Sequence, residues 1–350
     1  MKNLTNKLVA LLLALTFIAT SCDDDKETLN KEQAQEAFSS ANTDFAGALE
    51  RIQSNPGFTA LENLNSLAGS SSVLPFRQTT ATKKDPRVLA RQIIASLKNI
   101  ATAGSTNNAR TQGDEAFDFE ENKGIYDWNP NVGDFVQSGN SSIIELRFPT
   151  EGSSTNNATF KLFDYDEVAT PEGDEAYSPT LIDATLAIDG TQVAALDAIA
   201  EYVSDGTDTP TFADITYTVG VFSVDLDFND KNTNSTSFSQ VLREGNTTLL
   251  GWGITAVYNS AEKIEDDLKS IEGFFQIMNV RFNISATQPT GPVEDINEVI
   301  NITITVDGAD AGRVVIGEDG EPYVEFTDGS RVLLADIFVA VEEVFNSLEL

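Results

Sequence analysis

Histidine is absent from all 350 residues, and cysteine occurs once, at Cys22. Without imidazole there is no Ser-His-Asp triad, no Cys-His pair and no histidine-bound zinc, and the usual general base near neutral pH is missing. Positive charge is scarce: 22 Lys and Arg stand against 55 Asp and Glu, a formal charge of −33. A field of that sign repels phosphates and anionic lipid heads, so no nucleic-acid partner is expected. Neither a GxxxxGK[ST] loop nor a GxGxxG turn opening a helix occurs, so no nucleotide cofactor is expected, and no repeat of solenoid length is found. Acidity of this degree suits a disordered chain, but 41% hydrophobic residues with 21 Phe call for a packed core.

What is present begins with an address. Residues 1–7 carry Lys2 and Lys7 and no acid, and Leu8 to Ala19 is an apolar run. That run suits a signal peptide and is too short to span a bilayer. Ala19-Thr20-Ser21 leads into Cys22, the one thiol of the chain. A lone exposed thiol is a liability where cysteines are oxidised in pairs. Lipidation of Cys22 is the expectation, after removal of residues 1–21. The mature chain then has 329 residues and a formal charge of −35, having lost two lysines.

Ala19-Thr20-Ser21-Cys22 resembles the relaxed lipobox of Bacteroidota envelope lipoproteins. Asp23-Asp24-Asp25-Lys26-Glu27 is similar to the acidic run that directs such lipoproteins to the outward face of the outer membrane. The resemblance covers about thirty residues and implies location: an outer-membrane lipoprotein facing outward, held to the membrane through Cys22, with Asp23, Asp24 and Asp25 as export signal. The run reads otherwise as a solvated spacer. Three short stretches also resemble uncharacterised Bacteroidota lipoproteins: Gly124 to Asn129 (GIYDWN), Ile188-Asp189-Gly190, and Phe326 to Ser330 (FTDGS). They imply a shared architecture and no active residue.

The body divides into five segments by pattern. Residues 1–21 are the signal peptide and 22–29 an acidic tether. Residues 30–105 read as helical: Ala34, Ala37, Phe38, Ala41, Phe45, Leu49 and Ile52 form one stripe at three- and four-residue steps, stopped at Asn55-Pro56-Gly57. Phe58, Leu61, Leu64 and Leu67 predict a second helix. Asp85-Pro86 starts a third, with Leu89, Ile93, Leu97 and Ile100 inward and Gly104 past its end. Over 115–290 the period is two, as in Ile144-Leu146-Phe148 and Ile182-Ala184-Leu186-Ile188, and Asp189-Gly190 predicts a hairpin turn. A second hairpin is expected at Glu244-Gly245-Asn246. The alternation Ile215 to Val221 slips at Phe222, which predicts one long strand with a β-bulge. Residues 271–284 suit helix or strand, and Val280, Phe282 and Ile284 favour strand. Residues 291–350 predict a small β-meander with Asp307-Gly308, Asp319-Gly320 and Asp328-Gly329 turns. A last helix follows, through Leu334, Ile337, Phe338, Val341, Val344, Phe345 and Leu348. The expected class is α+β, N-terminal helices packed on a large, mainly antiparallel sheet with that C-terminal meander and helix. A transmembrane barrel is set aside because the strands are laden with acids and show no aromatic girdles.

Chemistry is left to carboxylates. Asp225, Asp227, Asn229, Asp230 and Asn232 suit a hard cation, but Asp230 stands where a calcium loop needs glycine and Thr236 where it needs glutamate. An acidic strand running into an Asn-rich turn is the expectation, with no metal; Asp164, Asp166 and Glu167 are a weaker version. Tyr126, Trp128 and Phe135 around Asn129-Pro130-Asn131 suit sugar stacking or packing, with packing favoured. Trp252 between Gly251 and Gly253 is expected in the core, the glycines baring its ring edges or admitting another backbone. The leading function is a non-enzymatic binding or scaffold module of the envelope, for a protein or a glycan. A carrier of an apolar ligand is the alternative, and a carboxylate-based glycoside hydrolase the third.

Overall fold

The structure is a computed structural model that describes residues 27–67, 116–172, 176–289, 293 and 295–337. Among the described residues strand accounts for 53% and helix for 17%, and sixteen strands form one mixed sheet. This overturns the α+β expectation. The protein is mainly β, and its C-terminal strands continue the sheet instead of forming a meander of their own. The physical reason is strand length and sequential pairing. Several strands run ten to twelve residues, and each of these pairs with the next in sequence, so the long strands have a partner on both edges. The predicted third helix and the last helix beyond Ile337 lie outside the described residues.

The chain divides into two compact units, one of them Glu50–Phe228. It opens on helix α2 (Pro56–Leu67), which follows helix α1 (Lys31–Gln53). Asn55 caps α2, its side-chain oxygen accepting from the Gly57 N–H at 2.9 Å, with Pro56 at the first helical position. Phe58, Leu61 and Leu64 are buried as their spacing predicts, and Phe58 meets Tyr217 edge-on at 6.4 Å. Eight strands follow: β1 (Gly124–Asn129), β2 (Asp134–Gly139), β3 (Ile144–Phe148), β4 (Ala158–Ala169), β5 (Tyr177–Ile188), β6 (Thr191–Tyr202), β7 (Pro210–Val219) and β8 (Phe222–Asn229). β1 lies between β2 and β3 and runs parallel to β3; the pairs β3–β4, β4–β5, β5–β6 and β6–β7 are antiparallel. Alternate residues such as Leu146, Phe160, Ile182, Leu196 and Ile215 are buried, which turns the residues between them to the other face of each strand.

The Asp189-Gly190 turn joins β5 to β6 with φ of 48° and 78°, the pair of left-handed residues that a two-residue hairpin favours. The expected bulge near Phe222 is instead a second two-residue hairpin. β7 stops at Val219, Gly220 takes φ 59°, Val221 is 63% exposed, and β8 starts at Phe222. Glycine at the first turn position is what a type II′ turn needs.

The other unit comprises the described residues up to Leu49 and those from Asn229 to Ile337. Asn30 and Gln33 form a reciprocal capping box at the start of α1, at 3.0 and 2.9 Å. Ala34, Phe38 and Ala41 then enter a core with Phe282, Ile302, Ile304, Val314 and Phe326, and Phe38 stacks on Phe326 at 6.4 Å. Ala37 and Leu49, expected on the same stripe, are half-buried. The strands are β9 (Ser235–Glu244), β10 (Thr247–Tyr258), β11 (Leu268–Ile277), β12 (Val280–Thr287), β13 (Ile300–Val306), β14 (Ala309–Ile316), β15 (Pro322–Glu325) and β16 (Arg331–Leu333), followed by one turn of helix, α3 (Leu334–Ile337). Each pairs antiparallel with the next. The ambiguous stretch 271–284 is strand on both sides of a turn at Met278-Asn279. Ahead of α1 the chain is clasped to β14: the Leu29 N–H donates to the Asp310 carbonyl at 2.8 Å, and the Asp310 N–H to the Glu27 carbonyl at 2.8 Å.

Two glycines of this unit differ in what surrounds them. A Cβ on Gly312 (φ 125°) would stand 2.3 Å from the Glu325 carbonyl oxygen of β15, whereas a Cβ on Gly308 (φ 86°) meets nothing within 4 Å. Gly308→Ala is expected to cost about 1 kcal/mol for the left-handed backbone alone. Gly312→Ala forces β14 and β15 apart as well and is expected to cost more than about 3 kcal/mol. Urea unfolding of the two variants checks the contrast, and equal losses contradict it.

Candidate functional site

Cys22 and Asp23, Asp24 and Asp25 lie outside the described residues. The calcium candidate is described, and its acids are engaged by the chain itself. Asp225 accepts from the Thr216 hydroxyl at 3.2 Å, and the Asn229 side chain accepts from the Lys231 N–H at 3.0 Å, which makes the turn. Asp230 receives the Lys263 ammonium at 2.7 Å and the Thr236 hydroxyl, and the same ammonium reaches the Asp230 carbonyl at 2.7 Å. The Lys263 and Asp230 side chains are only 8% and 14% exposed. A lysine therefore sits where a hard cation would have to. Among the described residues no group of three acids is placed to hold a metal ion.

The second acidic run is equally committed. Glu167 takes the Phe117 N–H on one oxygen and the Tyr165 hydroxyl on the other, both at 2.6 Å. Burial, then the bond to Glu167, raises the Tyr165 pKa. Asp164 and Asp166 each accept the N–H of the following residue, at 3.0 and 2.9 Å. Among the aromatics, Tyr126 and Phe135 are buried, the Tyr126 hydroxyl donates to the Asn122 carbonyl at 2.9 Å, and Trp128 meets Phe135 edge-on at 5.4 Å. Trp252 packs on Phe238 at 4.6 Å and donates to Gln240 at 3.3 Å. Trp252 is half-buried and not in the core; the glycines beside it make room for the ring of Phe274, whose carbons lie 3.3 Å and 2.9 Å from where Cβ atoms of Gly251 and Gly253 would be, and Gly253 also admits a backbone, the Phe238 carbonyl oxygen at 3.2 Å.

What pairing brings together, and the sequence did not mark, is a row of carboxylates across β4, β5 and β6. Asp164 lies opposite Asp183, and Asp183 opposite Asp197. Asp197 in turn faces Thr216 on β7, whose hydroxyl reaches Asp225 on β8. The next row out reads Asp166, Leu181, Ile199 and Asp214. Ile199 is 52% exposed, and Phe163, in the bulge beside Asp164, is 41% exposed. Directly opposed like charges destabilise a sheet. The strain registers on Asp183, whose carboxyl is held above its ordinary value of 3.8 by partial burial first, then by Asp197 and Asp164. The result is a strand face with acids around an exposed apolar strip. A hollow lined by Pro179, Leu181, Ile199 and Ile215 holds about 10 Å³, room for one water and not for an acyl chain.

The Asp230–Lys263 pair gives a test of the calcium loop. Lys263→Met leaves a half-buried carboxylate without its cation and is expected to destabilise the fold by about 3 kcal/mol. Added calcium is expected to restore none of that loss beyond what magnesium restores, as read by thermal melting. A calcium-selective recovery would show that the loop takes a metal once the lysine is gone.

Compared with known proteins, the chain matches no family model, no curated protein and no solved structure.

Proposed function

We propose that this chain is an outer-membrane lipoprotein, acylated at Cys22 and directed outward by Asp23, Asp24 and Asp25, that works as a non-enzymatic binding module for a basic protein surface. The observation that carries the binding reading is the Asp164–Asp183–Asp197 row beside exposed Ile199 and Phe163. Carboxylates set in mutual repulsion favour any ligand that brings positive charge between them. The apolar strip adds contact area that a diffuse counterion would not use. The partner that fits has Lys or Arg side chains flanking an apolar strip of its own.

The address is tested on cells. Cys22→Ser is expected to leave the membrane fraction, and Asp23, Asp24 and Asp25 changed together to Ala are expected to become protected from protease added to intact cells. A Cys22→Ser protein that stays with the membrane, beside a wild type without acyl mass, would falsify the anchor.

The binding face is tested by a trade of stability for affinity. Because folding raises the Asp183 pKa, the folded state binds a proton more tightly there than the unfolded chain does, and the charge costs stability at every pH above the raised value. That cost is relieved as pH falls through the raised pKa toward 3.8. Asp183→Asn is therefore expected to stabilise the protein at pH 7, by about 0.5 kcal/mol after allowing for solvent screening. The gain should vanish below pH 3.8. The same variant is expected to bind an amphipathic Lys/Leu peptide more weakly, as followed by fluorescence anisotropy at low salt. Unchanged peptide affinity in a stabilised variant contradicts the reading.

The raised pKa of Asp183 between two acids also favours a second reading, hydrolysis of a glycosidic bond with Asp183 as the acid and Asp164 or Asp197 as the second carboxylate. Facing residues at that register bring their Cβ atoms to about 5 Å. Release of reducing sugar from a glycan, lost in Asp183→Asn, would establish it over the binding reading.

A further inference from the structure

Arg281 stands on β12 between buried Phe282 and its turn, with its side chain on the face away from the core. Its guanidinium carbon lies 3.8 Å from the centre of the Phe274 ring. That ring rests over Gly251 and Gly253, the places where no side chain stands. Nε donates to the Asn283 side-chain oxygen at 3.0 Å and Nη1 to the Gln276 side-chain oxygen at 3.2 Å. Gln276 is itself fixed, its amide donating to the Met278 carbonyl at 2.8 Å. The guanidinium is thus stacked on one side and steered at two of its edges, by groups held in place from β10, β11 and β12.

All of its partners are neutral. In a chain with 55 acids and 22 bases, other described arginines take carboxylates: Arg147 pairs with Glu145, and Arg313 and Arg331 share Glu325. Arg281 has none among the described residues, and it is half-buried, so that desolvation lowers its pKa. A guanidinium carries five N–H donors, and two are used here. The three that remain are on Nη1 and Nη2, the two nitrogens that meet a carboxylate end-on. A desolvated, oriented cation without a counter-charge is an incomplete ion pair.

We propose that Arg281 binds the carboxylate of an acidic sugar, a uronic acid, on the outward face of β12 and β13. The carboxylate is singly charged, and a phosphate dianion is repelled about twice as strongly by a body of this net charge. Neighbouring residues fit the rest of a sugar. Thr305 lies opposite Arg281 and Thr303 opposite Asn283. Their hydroxyls and the Asn283 amide N–H that faces away from Nε stand on the same face as Arg281, and such donors and acceptors are what sugar hydroxyls pair with. The face takes its ligand independently of the Asp164–Asp183–Asp197 row, so failure of one reading leaves the other standing.

The test is titration calorimetry of the full chain with digalacturonate, its neutral methyl diester, inorganic phosphate and a short peptide with a free C-terminal carboxylate. Digalacturonate is expected to bind, the diester at least about tenfold more weakly, and phosphate and peptide more weakly than digalacturonate. Arg281→Gln is expected to lose the binding, and Arg281→Lys to weaken it about tenfold by keeping the charge without the fork. Gly253→Ala, whose Cβ would crowd the Phe274 ring at 2.9 Å and the Phe238 carbonyl oxygen at 3.2 Å while leaving Arg281 in the chain, is expected to weaken it too. Melting curves confirm that each variant folds; if Gly253→Ala does not, the two Arg281 variants decide. Equal binding of acid and diester overturns the proposal, as do wild-type affinity in Arg281→Gln, tighter binding of the peptide or phosphate, and no heat from digalacturonate at millimolar concentration.

Discussion

Side chains on a strand alternate between two faces, so a slip of one residue in any pair would carry Leu, Ile and Phe into water and Asp into the core. The sheet depends on that register being held strand after strand. Short turns hold much of it. Asp189-Gly190, Gly220-Val221, Gly245-Asn246 and Asp307-Gly308 each admit only two residues between paired strands and each uses backbone with positive φ. Such turns match the natural twist of the strands they join and leave no slack in the pairing. Bulges at Leu162/Asp164 and Ile304/Thr305 then adjust the phase locally. Burial supplies the driving force, on the order of 1.5–3 kcal/mol for each large apolar side chain hidden. The turns decide which side chains those are.

The same rule explains what could be read without a structure. Asp-Gly or Gly-Asn next to period-two runs located the turns between β5 and β6, β9 and β10, and β13 and β14. Gly220-Val221 escaped because a two-residue hairpin and a bulge leave the same trace: both put two positions between successive buried residues, here Val219 and Phe222. Only Val221, apolar yet solvent-facing, separates the two, and a sequence does not announce exposure. The overestimate of helix has a similar origin. The stripe from Ala34 to Ile52 is strong and folds as expected, but the long alternating runs after residue 115 outweigh it, and nothing local says that β13 will pair with β12.

Site residues were legible one at a time and not as constellations. The oddity of Gly251-Trp252-Gly253 was visible, but its cause is the ring of Phe274 on the neighbouring strand. Asp183 reads as one more outward acid between Ile182 and Ala184; its meaning comes from Asp164 and Asp197, which lie 19 and 14 positions away and meet it only through pairing. The converse held at Asp225, Asp227 and Asp230. There the sequence gathered acids at the end of one strand and in the turn after it, and the fold brought a distant lysine to the last of them, Asp230. Proximity along the chain overstated the first kind of cluster and hid the second.

The clasp between Glu27–Leu29 and β14 has a mechanical side. Any pull on the chain from ahead of Glu27 reaches the fold at Asp310, whose carbonyl and N–H are both held by the parallel segment. Tension then runs along the strand and loads the two bonds together, in shear, instead of peeling them one after the other. Helix α1 begins beyond the clasp, so its own bonds, aligned with the direction of stretch, carry no force until the clasp gives way. A body held at its N-terminus in a moving fluid would feel drag first at β14, a strand paired on both sides, and not at the frayed end of a helix.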